Sequence, residues 1–181
     1  MCLHSSQEPD EALARNGCSG CFARLYERHR GTPARYAVEA FRADFDTALE
    51  IEDEAWKKAF EHRSTYAGER PFRAWLLAIA RNLALNHLRH ARHAPPTRDL
   101  LRPSEPTPLD RAESLESRER CARIVRALPS HLREPFFLRV ALDLAPGDIA
   151  ELLRLPVSTV RGRLFRARKA VAEAAREGVR P

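Results

Sequence analysis

Apolar residues recur at spacings of three and four along most of the chain, which is the period of an α-helix that buries one face. No run rich in β-branched residues indicates a strand. The pattern therefore predicts an all-α protein. In the first half it predicts a tail over residues 1–17 and a helical domain over 18–93, with helices over about 21–43, 46–62 and 71–92 and a loop over 64–70.

A proline-rich segment separates this domain from a second one. Residues 94–110 hold five of the chain's 13 prolines, and each proline removes a backbone donor and restricts the residue before it. We therefore predict an extended linker there. The pattern that follows predicts a second domain over residues 111–177, with helices over about 111–127, 130–141, 146–153 and 157–176. The expected architecture is two small helical domains joined by a Pro-rich linker.

The last two predicted helices have the pattern of a helix-turn-helix. An apolar stripe is followed by a short turn at Arg154-Leu155-Pro156, and the next helix places Val160, Leu164, Ala167 and Val171 on one face. The opposite arc holds Ser158, Arg161, Gly162, Phe165, Arg168 and Lys169, with Thr159 and Arg166 at its edge. Such a face suits the major groove of DNA, where Arg side chains reach guanine edges. An ordinary helical hairpin with a charged surface is the alternative.

The charge distribution favours nucleic acid as a partner of the second domain. The chain carries a net charge of +6, and residues 121–181, with 12 Lys/Arg against six Asp/Glu, account for all of it. Between residues 157 and 169 there are five basic residues and no acidic one. A basic excess confined to one domain is typical of a polyanion-binding module.

The long helix predicted after Pro71 has a second polar arc. When plotted at helical pitch, one side holds Ala78, Arg81, Asn82, Leu85, Asn86, Arg89 and Arg92. Arg neutralises phosphate, and Asn can donate and accept at a base edge. With Tyr66, Phe72 and Trp75 nearby, this arc is a candidate for binding single-stranded DNA, because bases stack on aromatic rings. The alternative is that Phe72 and Trp75 are plain core residues and that the Asn side chains are merely solvated.

Neither a metal site nor a membrane segment is expected. Cys18 and Cys21 form a Cys-x-x-Cys pair, but no second pair or histidine pair completes a zinc site. No apolar run reaches the roughly 20 residues of a membrane span, and the N-terminus lacks the pattern of an export signal. We therefore expect reduced thiols, no cofactor, no membrane insertion and a cytoplasmic location, while a redox-sensing or metal-binding role of Cys18 and Cys21 stays open from the sequence. No nucleophile–base set or Gly-rich phosphate loop indicates an enzyme.

Several of these stretches resemble a known family. The segments FRAWL (Phe72–Leu76) and IARNLALNHLR (Ile79–Arg89) look like the characteristic helix of extracytoplasmic-function (ECF) sigma factors of bacterial RNA polymerase, in the sigma-70 family. Leu128-Pro129 with REPFFLR (Arg133–Arg139) is similar to the start of that family's last domain. IAELL (Ile149–Leu153), VSTVR (Val157–Arg161) and RLFRARKA (Arg163–Ala170) follow its helix-turn-helix. The resemblance covers about residues 20–93 and 111–175.

This resemblance implies a sigma factor that directs core RNA polymerase to promoters. The first domain would bind the polymerase clamp through Glu50, Ile51, Asp53, Glu54 and Trp56. It would hold the melted strand of the downstream promoter element with Tyr66, Arg81, Asn82, Asn86 and Arg89. The second domain would read the upstream element as duplex through Ser158, Thr159, Arg161, Gly162, Phe165, Arg166 and Lys169. An anti-sigma factor commonly holds such proteins inactive, and we expect a monomer when the chain is free.

The sequence departs from the family pattern at several positions. Where the family has Asp-Leu-Val-Gln-Glu in the clamp-binding stretch, this chain has Glu50-Ile51-Glu52-Asp53-Glu54, so that Glu52 replaces the apolar valine. Asn86 stands where Asp is common. Ala145 and Arg154 replace the usual Ser and Gly at the start and end of the first helix of the helix-turn-helix.

Two other functions stay open from the sequence. The first is a sigma-like decoy that sequesters an anti-sigma factor without binding DNA. The second is a transcription regulator that uses the helix-turn-helix without polymerase. Such regulators usually bind palindromes as dimers, and the chain has no heptad seam for a dimer.

Overall fold

The structure, a computed structural model, describes residues 8–91 and 122–177. The chain divides into two compact units, Met1–Leu100 and Leu101–Pro181. Within the described residues every regular element is a helix, which confirms the all-α fold. The predicted linker at 94–110, the first eleven residues of the helix predicted over 111–127, Arg92, Cys2 and Cys121 lie outside the described residues.

The N-terminal unit is a bundle of short helices around one long one. Its helices are α1 (Asp10–Asn16), α2 (Ser19–His29), α3 (Thr32–Tyr36), α4 (Phe45–Glu61) and α5 (Phe72–Ala91). A π-helical turn (Ala37–Phe41) follows α3, and a 3₁₀ turn (Arg63–Thr65) follows α4. Helix α5 runs through the centre, and Phe72, Ala74, Leu76, Leu77 and Ala80 are all buried.

The single helix predicted over residues 21–43 is wrong. The chain leaves the helical conformation at Arg30, and Gly31 has φ +78°. Pro33 follows in the first turn of α3, where its missing N–H costs nothing. A helix continuing through this point would lose the backbone hydrogen bond that Pro33 cannot donate and would clash with the preceding turn. The apolar period continues across the break because α2 and α3 both bury a face in the same core.

The N-terminal tail predicted over residues 1–17 is also wrong for the part that the structure describes. Asp10–Asn16 forms α1, which buries Leu13 and Ala14 completely or nearly so. Gly17 ends it in the left-handed conformation, at φ +61°. Two buried residues on a helix of seven give too little periodicity to distinguish it from a loop in the sequence.

The C-terminal unit has the predicted helix-turn-helix. Residues 122–127 are helical, followed by α6 (Ser130–Val140), α7 (Pro146–Leu153) and α8 (Val157–Glu177). Ile149, Leu152 and Leu153 of α7 are buried, and α8 buries Val160, Leu164 and Ala167, as predicted. Ala145 begins α7 without a side-chain cap, and Arg154 ends it at φ +54°. Both departures from the family pattern are thus accommodated without a change of fold.

Candidate nucleic-acid and polymerase interfaces

The outer face of α8 is exposed as a continuous polar surface. Ser158, Arg161, Gly162, Phe165, Arg166 and Lys169 are all exposed, while Thr159 is half-buried. Phe165 leaves 69% of its surface in solvent although it lies among buried neighbours in sequence. A large apolar side chain on an otherwise charged face indicates a contact surface rather than core. The recognition face predicted from the sequence is therefore presented to solvent as one surface.

Two basic side chains of this face make contacts with their own helix, and Gly162 lies on the same face in an open position. The guanidinium Nε of Arg166 donates to the carbonyl of Gly162 over 3.4 Å, and Lys169 Nζ lies 3.9 Å from Glu173 Oε1. Among residues 8–91 and 122–177, a Cβ placed on Gly162 would meet no atom within 4 Å other than the backbone of its own helix. Packing within this unit therefore does not require glycine at that position.

The polar arc of α5 is only partly available. Asn82, Asn86 and Arg89 are exposed, and Arg81 is half-buried. Arg89 Nη1 donates to Asn86 Oδ1 over 3.0 Å, so that these two side chains form one polar pair on the surface. Four of the five residues predicted to hold a melted strand thus lie at or near the surface of one helix.

Tyr66, the fifth, is at odds with its predicted role. Its ring is 5% exposed and packs edge-on against Phe72 and Trp75, with centroids 5.8 and 5.5 Å away. Its hydroxyl donates to the carbonyl of Arg70 over 2.6 Å. Burial, aided by the negative charge of Glu11, raises the pKa of Tyr66 to about 12. Tyr66 therefore anchors the loop before α5 to the core and offers no face on which a base could stack.

The aromatic residues near α5 form part of the core. Phe72 contacts Phe22 and Trp75 at centroid distances of 6.2 and 5.7 Å, and Phe22 meets Trp56 at 5.8 Å with nearly perpendicular rings. Edge-to-face pairs of this kind stabilise a core beyond the area they bury. The core interpretation of Phe72 and Trp75 is the correct one.

The predicted polymerase-binding stretch on α4 divides into exposed and buried residues. Glu50 and Asp53 are exposed, and Glu54 pairs with Lys58 over 2.9 Å. Ile51 is fully buried and Trp56 is 6% exposed, so a direct contact of these two with a partner is at odds with the structure. Their side chains fill the core beneath α4 and hold the helix in place.

Sequence reasoning missed two exposed apolar residues on the same helix. Phe45 is 67% exposed and Leu49 is 44% exposed. With Asp53 they follow one another at a spacing of four along one side of α4. Asp44 caps the helix just before them, and the hydrogen bond from the Thr47 N–H lowers the pKa of its carboxyl group. The sequence held a signal for this, because Phe45 and Leu49 lie on the same side of the helix as the acidic Asp53 and not on the side that carries the buried residues.

Glu52, the residue that replaces the family's valine, is buried and fully engaged. Its two carboxylate oxygens accept hydrogen bonds from the backbone N–H groups of Gly31 and Ala34, at 2.7 and 2.8 Å. One of them also accepts from the indole Nε1 of Trp56, at 2.8 Å. The carboxylate thus occupies the N-terminus of α3, where unpaired N–H groups and the helix dipole favour a negative charge. Glu52 joins α3 to α4 and is 7% exposed.

The Cys-x-x-Cys pair has a structural role at the start of α2. Cys18 Sγ accepts the backbone N–H of Cys21 over 3.2 Å and so caps the helix, while Cys21 is buried. Neither residue is in a disulfide. Within residues 8–91 and 122–177, no three His, Cys, Asp or Glu side chains converge as metal ligands. No helix in those two stretches is long and apolar enough to cross a bilayer.

Two family patterns match the chain, in the order expected from the two units. Sigma-70 region 2 matches residues 25–94, and sigma-70 region 4 matches residues 118–171. The RNA polymerase sigma-H factor of Pseudomonas aeruginosa is 34% identical over 149 residues, which cover 76% of this chain and 77% of that protein. The chain belongs to the ECF sigma factors of the sigma-70 family.

Further relatives support the same assignment. The ECF sigma-E factor of Escherichia coli K12 is 33% identical, with 67% of this chain and 70% of the relative covered. The ECF sigma factor SigC of Mycobacterium tuberculosis is 32% identical, with 73% and 72% covered. All three names are those of transcription factors that act with RNA polymerase, and none is that of an enzyme.

Solved structures share the fold of this sigma factor. The sigma factor RpoE of Bartonella quintana, crystallised with the anti-sigma factor NepR, aligns with a TM-score of 0.68 at 18% identity, over 86% of this chain and 96% of that one. CnrH, in complex with the cytosolic domain of CnrY, aligns with a TM-score of 0.65 at 23% identity, over 93% and 96%. The fold of two helical domains is thus shared, while the sequences have diverged.

Proposed function

We propose that this sigma factor binds core RNA polymerase and directs it to promoters, with one promoter element read by each unit. The observation that carries the proposal is the exposed face of α8, which presents Arg161, Phe165 and Arg166 around Gly162 with no acidic side chain among them. An isolated charged face supports non-specific binding only. A helix-turn-helix beneath it supplies the orientation that base reading requires.

The C-terminal unit would read the upstream element as duplex. Arg161 and Arg166 carry the forked donors that recognise guanine in the major groove, and Phe165 offers an apolar contact to a thymine methyl group. Ser158 and Thr159 lie at the N-terminus of α8, where free backbone N–H groups favour a phosphate. Lys169, about three turns further along, would contact the DNA backbone and set the register.

The N-terminal unit would hold the melted strand of the downstream element. Asn82, Asn86, Arg81 and Arg89 lie on one side of α5, and their amide and guanidinium groups can pair with bases and phosphates. Because the aromatic residues nearby are in the core, recognition here depends on hydrogen bonding more than on stacking. The loop before α5 would contact another part of the melted strand.

Polymerase binding is assigned to the exposed side of α4. Glu50 and Asp53 supply negative charge, and Phe45 and Leu49 supply exposed apolar surface beside them. Interfaces of this kind combine an apolar anchor with a charged rim. Ile51, Trp56 and Glu52 would act through the helix by fixing its position on the core.

An anti-sigma factor is proposed as the second protein partner. RpoE and CnrH, which share this fold, were crystallised with an anti-sigma factor and with the cytosolic domain of CnrY, respectively. The exposed Phe45 and Leu49 are suited to be covered by such a protein as well as by polymerase, which would make the two partners compete. We place the factor in the cytoplasm, as a monomer until it meets one of them.

Reconstitution tests the proposal directly. The purified chain is mixed with bacterial core polymerase and a library of promoter fragments, and transcripts are mapped. We expect new start sites that share an upstream and a downstream element, with binding that weakens steeply as salt rises. Binding of anti-sigma factors without any new start site would instead identify a decoy. A stable dimer that binds palindromic DNA in the absence of polymerase would identify an independent regulator.

Replacing Gly162 with alanine separates stability from recognition on α8. The new methyl group meets no side chain among the residues that the structure describes, and alanine is favoured over glycine in a helix by about 1 kcal/mol, so the melting temperature should rise. Promoter binding should nevertheless fall by about fivefold or more, because the methyl group lies where the edge of the groove must approach. Gly147→Ala is the matched control, since Gly147 is equally unobstructed but lies on α7. A Gly162→Ala variant that binds the promoter as well as wild type contradicts the assignment of this face.

A further inference from the structure

Helix α1 lies before the segment that matches sigma-70 region 2, which begins at residue 25. It nevertheless belongs to the same core, because Leu13 and Ala14 are buried. The helix packs on residues 62–71, which include the 3₁₀ turn, and on the first turn of α5. Residues 62–71 are here called the strand loop, after the melted DNA strand to which we assign this region. The strand loop connects α4 to α5, the helix that carries the face we assign to the melted strand.

Three separate contacts join α1, or the Gly17 that follows it, to the strand loop and to the first residue of α5. At the start of the loop, Arg63 Nε donates to the carbonyl of Gly17 over 2.9 Å. In the middle, the side chain of Arg15 passes directly over Gly68, where an added Cβ would lie 3.1 Å from Arg15 Cδ. Just after the loop, Glu11 Oε1 accepts the backbone N–H of Phe72 over 3.3 Å. The loop is therefore held near its beginning and in its middle by α1 and Gly17, and the first residue of α5, which follows the loop, is held by the same helix.

The helix is in turn fixed to α2 by a charged cluster. Asp10 Oδ1 accepts from Arg28 Nη1 over 2.7 Å, and Asp10 Oδ2 lies 2.6 Å from Nε2 of the buried His29. Burial raises the pKa of Asp10, but the hydrogen bonds and charges of Arg28 and His29 outweigh it and leave the pKa below its usual value. Arg28 also donates to the carbonyl of Glu8 over 2.7 Å. The cluster makes α1 a fixed support and not a frayed end.

We infer that α1 is a positioning element for capture of the melted strand, with Glu11 and Arg15 as the positioning residues. This inference rests on the proposed function, since it gives the strand loop its role. A loop that is ordered before it binds loses less conformational entropy on binding than one that must be ordered by the DNA. Contacts at two points of a ten-residue loop and at the residue that follows it supply that order, although none of the α1 residues need touch the strand.

Two matched pairs of variants test the role of α1. Glu11→Ala and Glu11→Gln remove the same charge, but only the glutamine keeps an oxygen that can accept the Phe72 N–H. Arg15→Ala and Arg15→Gln also remove the same charge, but only the glutamine keeps part of the aliphatic stem over Gly68. Any long-range effect of charge on DNA is therefore equal within each pair, and a difference within a pair reports the contact itself.

Two DNA affinities are measured on holoenzyme assembled from full-length chain and core polymerase: for a single-stranded oligonucleotide that carries the downstream element and for duplex that carries the upstream element. A third affinity, for core polymerase, is measured on the free full-length chain. We expect Glu11→Ala to bind the single strand about three- to tenfold more weakly than Glu11→Gln, the range for one hydrogen bond of ordinary net strength. Arg15→Ala should be weaker than Arg15→Gln in the same assay. Duplex and polymerase affinities should stay unchanged in all four variants.

The outcomes separate this inference from the proposed function. If wild-type chain gives no promoter-specific binding with polymerase, the proposed function fails before any variant is compared. If wild type is active but the two members of each pair bind the single strand equally, α1 does not position the strand loop. If an alanine variant loses polymerase and duplex affinity in parallel with strand affinity, α1 only stabilises the fold, and the inference is overturned.

Discussion

Replacing Arg161 with alanine is expected to weaken binding of the holoenzyme to the upstream element by about 1–3 kcal/mol and to relax the choice of base at one position. Arg161 is exposed one turn into α8, next to the buried Val160 that fixes the helix on the core. A guanidinium held in this way can donate two parallel hydrogen bonds to a guanine, which alanine cannot replace. Binding titrations on a panel of promoters with single-base changes measure both effects.

Arg176→Ala is the control for this prediction. Arg176 is exposed on the same helix and carries the same charge, but it lies 15 residues further along, about 22 Å away at helical rise. The Arg176→Ala variant should bind all promoters slightly and equally more weakly, as expected for a residue that contributes only to the overall electrostatic attraction of DNA. If Arg161→Ala and Arg176→Ala give the same loss on every sequence, Arg161 does not read a base.

Replacing Glu52 with alanine is expected to lower the free energy of unfolding by about 2–4 kcal/mol. The substitution leaves three donors without their acceptor: the N–H groups of Gly31 and Ala34 and the indole of Trp56. Glu52→Val, which restores the residue type usual in the family, should be destabilising for the same reason, since it supplies volume but no acceptor. Urea unfolding of the full chain measures the difference.

Two further variants make the Glu52 result specific. Glu50→Ala, two residues earlier and exposed on the same helix, should change stability by no more than about 0.5 kcal/mol. Glu52→Gln should lie between wild type and Glu52→Ala, because the amide keeps one accepting oxygen but turns its NH₂ group toward a second donor. A Glu52→Val variant as stable as wild type would mean that the three donors find other acceptors.

The consequence of Glu52 for function is indirect. Its carboxylate joins the N-terminus of α3 to Trp56, and the same helix carries the exposed Phe45 and Leu49. Loss of this link would alter how α4 sits on the core and so weaken polymerase binding without removing a contact residue. The buried carboxylate that replaces the family's valine is thus compensated by the hydrogen bonds from Gly31, Ala34 and Trp56.

The C-terminal unit was predictable because its information is local. The stripe of Val160, Leu164 and Ala167, the turn at Arg154 and the acid-free face of α8 all lie within about 25 residues of one another. A helical period of 3.6 then assigns each residue to the core or to solvent. Even the weak cap at Ala145 was visible before the structure.

The N-terminal unit was predictable only in part. The extent of α5 and its polar arc followed from the sequence, but the break at Gly31, the helix at Asp10–Asn16 and the burial of Tyr66 did not. The helix at Asp10–Asn16 depends on partners distant in the chain, since Gly17 accepts a hydrogen bond from Arg63 and Glu11 accepts one from Phe72. The N–H of Gly31 likewise donates to the distant Glu52. Short helices lack enough residues to show a period, so packing alone decides whether they form.

By itself, the sequence determined an all-α chain with a helix-turn-helix in its second unit, because hydrophobic period, proline placement and charge are properties of neighbouring residues. Its motifs, read as motifs, resembled those of the ECF sigma factors. Only the tertiary structure decided which polar residues are buried and hydrogen-bonded within the protein. Glu52 was part of an acidic stretch until the N-terminus of α3 packed against it, and Tyr66 was a candidate for stacking until its ring was enclosed by Phe72 and Trp75. The burial of these two side chains depends on the partners that the fold packs around them, and the hydrophobic period, which follows apolar residues, does not encode it.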